Sequence, residues 1–151
     1  MTTDSTEKAA KATDMSVPTP LVLDRLRDHF RRTYMLNESQ IETMLVSSSK
    51  SLNQALASAH DILEGTEPET RFTLVFHSLK GLLLNMGEAE WAAYTKEFEK
   101  KLTDGEKVNC AAAVEALEKG MAVILSYTEG MAEQAKHGGT SGGERNSSTT
   151  G

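Results

Sequence analysis

The chain has 151 residues, which is enough for one domain of ordinary size and not comfortably for two. Its 16 Lys and Arg against 22 Asp and Glu give a net charge of −6, which disfavours nucleic acid or an anionic membrane as a partner. The single cysteine disfavours a disulfide-stabilised protein. Apolar runs of at most five residues disfavour a membrane-spanning protein, and the 5% aromatic content disfavours an all-β protein. With a polar first segment unlike a signal peptide, the sequence predicts a soluble, cytoplasmic, mostly helical protein.

Both ends of the chain are predicted to be disordered. Residues 1–17 show no periodicity and lead into two prolines, and eleven of the fourteen residues from 138 onward are Gly, Ser or Thr. Neither composition can build a core. The expected organisation is a tail at 1–17, one helical domain at 18–137 and a second tail at 138–151.

Hydrophobic periodicity predicts five helices between the tails. Their expected bounds are Pro20 to Tyr34, Asn37–Ser39 to Gly65, Pro68 to Met86, about Ala89–Leu102 and about Glu106–Lys136. The fifth is expected to be one long helix, with Val114, Leu117, Met121, Ile124, Thr128 and Met131 near heptad spacing. Amphipathic helices joined by short loops predict an all-α fold, an antiparallel four-helix bundle with an additional N-terminal helix.

The first helix carries four arginines interleaved with two aspartates, a pattern open to two interpretations. A solvated face with intrahelical pairs such as Asp28–Arg32 is favoured over a nucleic-acid surface. The four histidines lie at no i, i+3 or i+4 spacing and have no cysteine nearby, so no metal site is predicted. Cys110, in an alanine-rich stretch, is expected to be a small buried residue.

His77 stands apart when the third helix is unrolled at about 100° per residue. One side of this helix is expected to face the core, because it collects Phe72, Val75, Phe76, Leu79, Leu82, Leu83 and Met86. The opposite side holds His77, and within about 60° of it lie Thr73, Leu74, Lys80, Gly81 and Leu84. His77 is therefore predicted to point to solvent.

Two neighbours suggest a chemical role for this exposed histidine. A glycine inside a helix costs about 1 kcal/mol relative to alanine, and the missing side chain of Gly81 would let another backbone or a phosphoryl group approach. Lys80, at i+3, can place an ammonium beside a charge on the imidazole. No carboxylate lies at residues 70–85, so a neutral nucleophile at pH 7 is expected. The alternative is an ordinary surface histidine beside an accidental glycine.

The string His77-Ser78-Leu79-Lys80-Gly81, followed by Asn85 and Gly87, resembles the signature of histidine-containing phosphotransfer (HPt) domains. The downstream Phe98-Glu99 is similar to the Leu-Glu of the family's next helix, and the resemblance covers about residues 36–131. His60 has no Lys-Gly after it. The chain departs from the family at Leu82–Leu84, where small residues are usual.

The resemblance implies a four-helix bundle that carries a phosphoryl group on His77, with Lys80 stabilising its charge and Gly81 giving access. The group would come from a receiver-domain phospho-aspartate or a kinase and pass to another receiver. The implied partners are receiver domains of response regulators or hybrid histidine kinases, which supply the Mg²⁺. The domain is then no enzyme, needs no cofactor or metal of its own, and is expected to be a monomer.

Two alternatives stay open. One is an HPt-like adaptor that binds a receiver or histidine kinase without being phosphorylated, and the other is an enzyme with an unrecognised site.

Thr73, Leu74 and Leu84 are expected to form the partner-docking surface around His77, since exposed apolar side chains flanking a nucleophile suit a protein interface. The alternative for Leu84 is that it turns partly under the fourth helix.

Overall fold

The computed structural model describes residues 16–128 and 130–131, and every regular element in those residues is helical, which confirms the predicted all-α class. The α-helices are α1 (Leu23–Tyr34), α2 (Glu38–Leu63), α3 (Phe72–Asn85), α4 (Ala89–Thr103), α5 (Cys110–Gly120) and α6 (Ala122–Leu125). None of these helices is both long and apolar enough to cross a lipid bilayer. The predicted tails, apart from Ser16 and Val17, and the predicted helical stretch 132–137 lie outside the described residues.

The boundaries of α2 and α3 follow signals that are visible in the sequence. Asn37 caps α2, because its side chain accepts a hydrogen bond from the Gln40 backbone N–H at 2.8 Å while the Gln40 side chain accepts one from the Asn37 N–H at 2.9 Å. Gly65 follows α2 with a φ of 87°, as its predicted position requires. The third helix starts slightly later than predicted, since Glu69–Arg71 form a 3₁₀ turn ahead of it.

The prediction of one long fifth helix is wrong, because the chain bends after Gly120. The backbone N–H of Leu21 donates to the Gly120 carbonyl at 2.8 Å, and Ile124 bonds instead to the Met121 carbonyl at 3.0 Å. The ring of Trp91 occupies the space that a Cβ at residue 120 would need. Met121 and Ile124 are buried as predicted, but the helix ends at Leu125, and beyond it Tyr127 is buried in place of the predicted Thr128.

The apolar side of α3 packs into the core as predicted. All seven predicted core residues are buried except Leu82, which is half-buried. Phe76 stacks on Phe98 of α4, with ring centroids 5.5 Å apart. A turn through Gly87 at φ 76° joins the two helices, and the stacked Phe76 and Phe98 lie equally far before and after it in the sequence, so α3 and α4 run antiparallel.

Helix α1 lies against the turn between α3 and α4. Arg25 makes two hydrogen bonds to the buried carboxylate of Glu88, at 2.7 and 3.2 Å. His29 and Tyr34 each donate to the backbone carbonyl of Asn85 at 3.1 Å, which satisfies an acceptor at the open end of α3. Helix α1 therefore fixes the end of the helix that carries His77.

Helix α2 joins α1 to the C-terminal part of the fold. The buried carboxylate of Glu42 accepts hydrogen bonds from Arg27 of α1 and from Tyr127. Further along α2, Asn53 donates to the Leu125 carbonyl at 3.0 Å, and His60 contacts Glu118. Since contacts advance along α2 as they go backward through α6 and α5, these segments run antiparallel.

Candidate functional site

His77 lies near the middle of α3 with its side chain 60% exposed. Its neighbours on the core side, Phe76 and Leu79, are completely buried. The packing of one side of α3 thus turns the imidazole outward, as the periodicity predicts.

A carboxylate holds one nitrogen of this imidazole. His77 Nδ1 lies 2.9 Å from Glu99 Oε2 of α4, which overturns the expectation of a histidine with no acid beside it. That expectation considered only carboxylates on the same helix. The stacking of Phe76 on Phe98 brings the next residue of each helix, His77 and Glu99, side by side.

Glu99 also holds Lys80. The Lys80 ammonium lies 3.2 Å from Glu99 Oε1, so the two carboxylate oxygens bind two different side chains of α3. Partial burial raises the pKa of Glu99, but the hydrogen bonds from His77 and Lys80 outweigh it, and the pKa lies below its ordinary value. Glu99 is therefore an ionised acceptor at neutral pH.

The contact with Glu99 decides which nitrogen of His77 is available. A carboxylate can only accept, so the neutral imidazole carries its proton on Nδ1 and keeps its lone pair on Nε2. The Nε2 atom belongs to a largely exposed side chain. The arrangement leaves a nucleophilic nitrogen on the surface of α3.

Gly81 leaves an open surface one turn from His77. A Cβ built at this position meets no atom within 4 Å, so packing inside the chain does not require a glycine there. Lys80 is only 24% exposed on its side chain because it leans toward Glu99. The exposed face of α3 around His77 is therefore open at Gly81 and charged at Lys80.

The predicted docking residues differ in exposure. Leu74 is 59% exposed and Leu84 is 55% exposed, so Leu84 does not turn under the fourth helix. Thr73 is half-buried and offers less surface than its position on the helix suggests. Two large apolar side chains therefore flank His77 along α3.

A cleft between α2 and α3, which the sequence did not predict, adjoins His77. It has a volume of about 720 Å³. Its α3 wall includes His77 and Gly81, and its α2 wall consists of Ser51, Gln54, Ala55 and Ser58. No periodicity signal could find this wall, since these small and polar residues resemble any solvated helix face.

The other residues considered from the sequence have structural contacts. Asp28 and Arg32 form the predicted ion pair at 3.2 Å, and the other α1 arginines contact Asp28, Glu38, Glu42 or Glu88. Cys110 is half-buried rather than fully buried, and desolvation raises the pKa of its thiol to about 11. His137 lies outside the described residues, within which no three His, Cys, Asp or Glu side chains cluster as metal ligands would.

Comparison of the chain with protein-family models, with curated proteins and with solved structures gives no match.

Proposed function

We propose that this chain is a cytoplasmic phosphorelay carrier of the HPt type, in which α2, α3, α4 and the α5–α6 segment form a four-helix bundle and α1 is the additional helix. The observation that carries the proposal is the exposed His77, whose Nδ1 is held by Glu99 while Nε2 stays free beside Lys80 and the open surface at Gly81. A phosphoryl acceptor needs such a nitrogen within reach of a second protein.

The proposed transfer is a displacement at phosphorus. The Nε2 lone pair of His77 attacks the phosphoryl group of a receiver aspartyl phosphate, an N–P bond forms, and the acyl O–P bond breaks. The receiver recovers its carboxylate, and Mg²⁺ held by the receiver would neutralise charge on the moving group. The imidazole, still protonated on Nδ1, becomes positively charged, and Glu99 at 2.9 Å stabilises that charge.

Lys80 and Gly81 have separate parts in the proposal. The Lys80 ammonium lies one turn from His77 and can pair with phosphoryl oxygens, although it must share its charge with Glu99. Gly81 lets the receiver approach the ring. Leu74, Leu84 and the half-buried Thr73 would contact the partner around the imidazole.

A second candidate is a non-phosphorylated adaptor that binds a receiver or a histidine kinase. Its support is the exposure of Leu84 beside His77, where the family usually has a small residue. Leu83 is completely buried and Leu82 is half-buried, so the departure adds only one exposed side chain, that of Leu84, to the surface.

Phosphoryl transfer separates the two candidates. The chain is incubated with a panel of receiver domains phosphorylated by acetyl phosphate, and acid-labile, alkali-stable phosphate on the chain is measured. We expect labelling of the wild type and of His60→Gln, and none of His77→Gln. His60 is a matched control, since it is also an exposed helical histidine beside a glutamate, Glu118 at 2.6 Å.

Binding without labelling of the wild type would favour the adaptor. Equal labelling of His77→Gln and the wild type would contradict the assignment of the acceptor. A thermal midpoint of His77→Gln far below that of the wild type would show that the histidine is structural.

A further inference from the structure

The two sides of His77 have different chemistry. On the α4 side, Glu99 and Lys80 form a charged pair in contact with the imidazole. On the α2 side, the residues that line the cleft carry no formal charge: besides the apolar Ala55, Leu82 and Leu84 they include the polar Ser51, Gln54, Ser58 and Ser78. Gln54 is exposed and is one of the residues that line the cleft, so its amide is accessible from solvent.

The ring geometry directs a group on Nε2 away from Glu99. The two nitrogens of an imidazole point in divergent directions, and Nδ1 is aimed at the Glu99 carboxylate on α4. His77 also lines the cleft on the side of α2. A substituent on Nε2 therefore points away from the Glu99 carboxylate, and the open space beside His77 is the cleft that α3 shares with α2.

A phosphoryl group in this position needs hydrogen-bond donors. Its oxygens are strong acceptors, and Lys80 already binds Glu99 at 3.2 Å. The Gln54 side chain carries two N–H donors and can reach into the same cleft. Because the Gln54 amide is uncharged, it can donate to the phosphoryl oxygens without forming an ion pair with Glu99, as the Lys80 ammonium does.

We infer that Gln54 is a phosphoryl-binding residue, whose amide N–H donates to an oxygen of a phosphoryl group on Nε2 of His77. The inference rests on the proposed function and adds to it a subsite on α2, outside the helix that carries the signature. Lys80 then acts from one side of the phosphoryl group and Gln54 from the other.

The test uses the full chain phosphorylated by phosphoramidate, so that no receiver is present. The ³¹P resonance of phosphohistidine is compared in the wild type, Gln54→Ala and Gln54→Glu. The control is Ala57→Glu, which adds the same charge at an exposed position of α2 that does not line the cleft. We expect both Gln54 variants to shift the resonance and the control to leave it unchanged.

The same variants are then equilibrated with a phosphorylated receiver. Loss of one hydrogen bond to a charged group corresponds to about a tenfold change in an equilibrium constant, so Gln54→Ala should move the label about tenfold toward the receiver. Gln54→Glu should move it further, and high salt should reduce only that additional effect.

The outcomes separate this inference from the proposed function. If the wild type takes up phosphate on His77 but both Gln54 variants match it in resonance and in equilibrium, Gln54 does not bind the phosphoryl group and the carrier function stands. An Ala57→Glu effect equal to that of Gln54→Glu would also overturn the inference, by showing that only long-range charge acts. If His77 takes no phosphate from phosphoramidate or a receiver, both proposals fail.

Discussion

Glu99 links the two polar side chains that surround the proposed nucleophile. One oxygen accepts from His77 Nδ1 and the other binds the Lys80 ammonium, and the carboxylate is only 20% exposed. A glutamine at this position could still accept from His77 but would present an amide where Lys80 needs an anion. Replacing Glu99 by glutamine therefore tests whether the negative charge of Glu99 is needed or only the shape of its side chain.

Glu99→Gln is expected to slow phosphoryl acceptance by His77 by about tenfold, because a charge-assisted hydrogen bond becomes a neutral one. The measurement is the single-turnover rate of labelling from a phosphorylated receiver at pH 7. Glu97→Gln is the control, since Glu97 lies two residues away and contacts Lys101 instead. Equal rates for the wild type and Glu99→Gln would mean that Glu99 does not assist the transfer.

The same substitution has a predicted pH dependence in stability. The pKa of Glu99 is lower in the folded chain than its ordinary value, so ionised Glu99 stabilises the fold above about pH 4.3 and this contribution is lost as pH falls through the lower folded-state value. The wild type should therefore exceed Glu99→Gln in free energy of unfolding at about pH 7, and this excess should shrink as the pH is lowered below about 4.3. Urea unfolding at neutral pH and across the acid range checks the sign.

Residue contacts show where sequence reasoning reaches its limit. The exposure of His77 and the burial of Phe76 could be predicted, since both depend only on the period of one helix. The Glu99 contact depends on the register between α3 and α4, which the Phe76–Phe98 stack sets. A single sequence carries no periodic signal for a register between two helices.

At the scale of elements, the helices that were predicted best are those whose ends have local signals, such as the Asn37 cap of α2. The bend between α5 and α6 has no local signal, because it depends on Leu21 and Trp91, which are distant in sequence. Gly120 leaves the space that the Trp91 ring occupies beside the bend. Gly81 in α3, by contrast, has open space around it.

These two helical glycines form a matched pair for a stability prediction. Gly120→Ala places a Cβ in the volume of the Trp91 ring, and overpacking of this kind costs about 1–3 kcal/mol. Gly81→Ala meets no atom and should raise the free energy of unfolding by about 0.5–1 kcal/mol through helix propensity. Urea unfolding of both variants checks the difference, and a stabilised Gly120→Ala would contradict the role given to that glycine.

At the scale of the whole molecule, α3 divides the core from the surface that a partner would meet. Three consecutive leucines show the division: Leu83 is completely buried, Leu82 is half-buried, and Leu84 is 55% exposed. Leu74 is exposed on the same side as Leu84, with His77 between them. The core explains why Leu83 is apolar, but it does not explain Leu84.

Leu84→Ser and Leu83→Ala separate docking from folding. Leu84→Ser should change the free energy of unfolding by less than about 0.5 kcal/mol, because Leu84 is an exposed residue outside the core. Leu83→Ala should cost about 2–5 kcal/mol, because it leaves a cavity at a fully buried position. Titration with a receiver domain should show weaker binding for Leu84→Ser alone, provided that both variants are measured where they are folded. A Leu84→Ser variant that keeps full affinity would remove Leu84 from the docking surface, since an exposed leucine without a partner is common on protein surfaces.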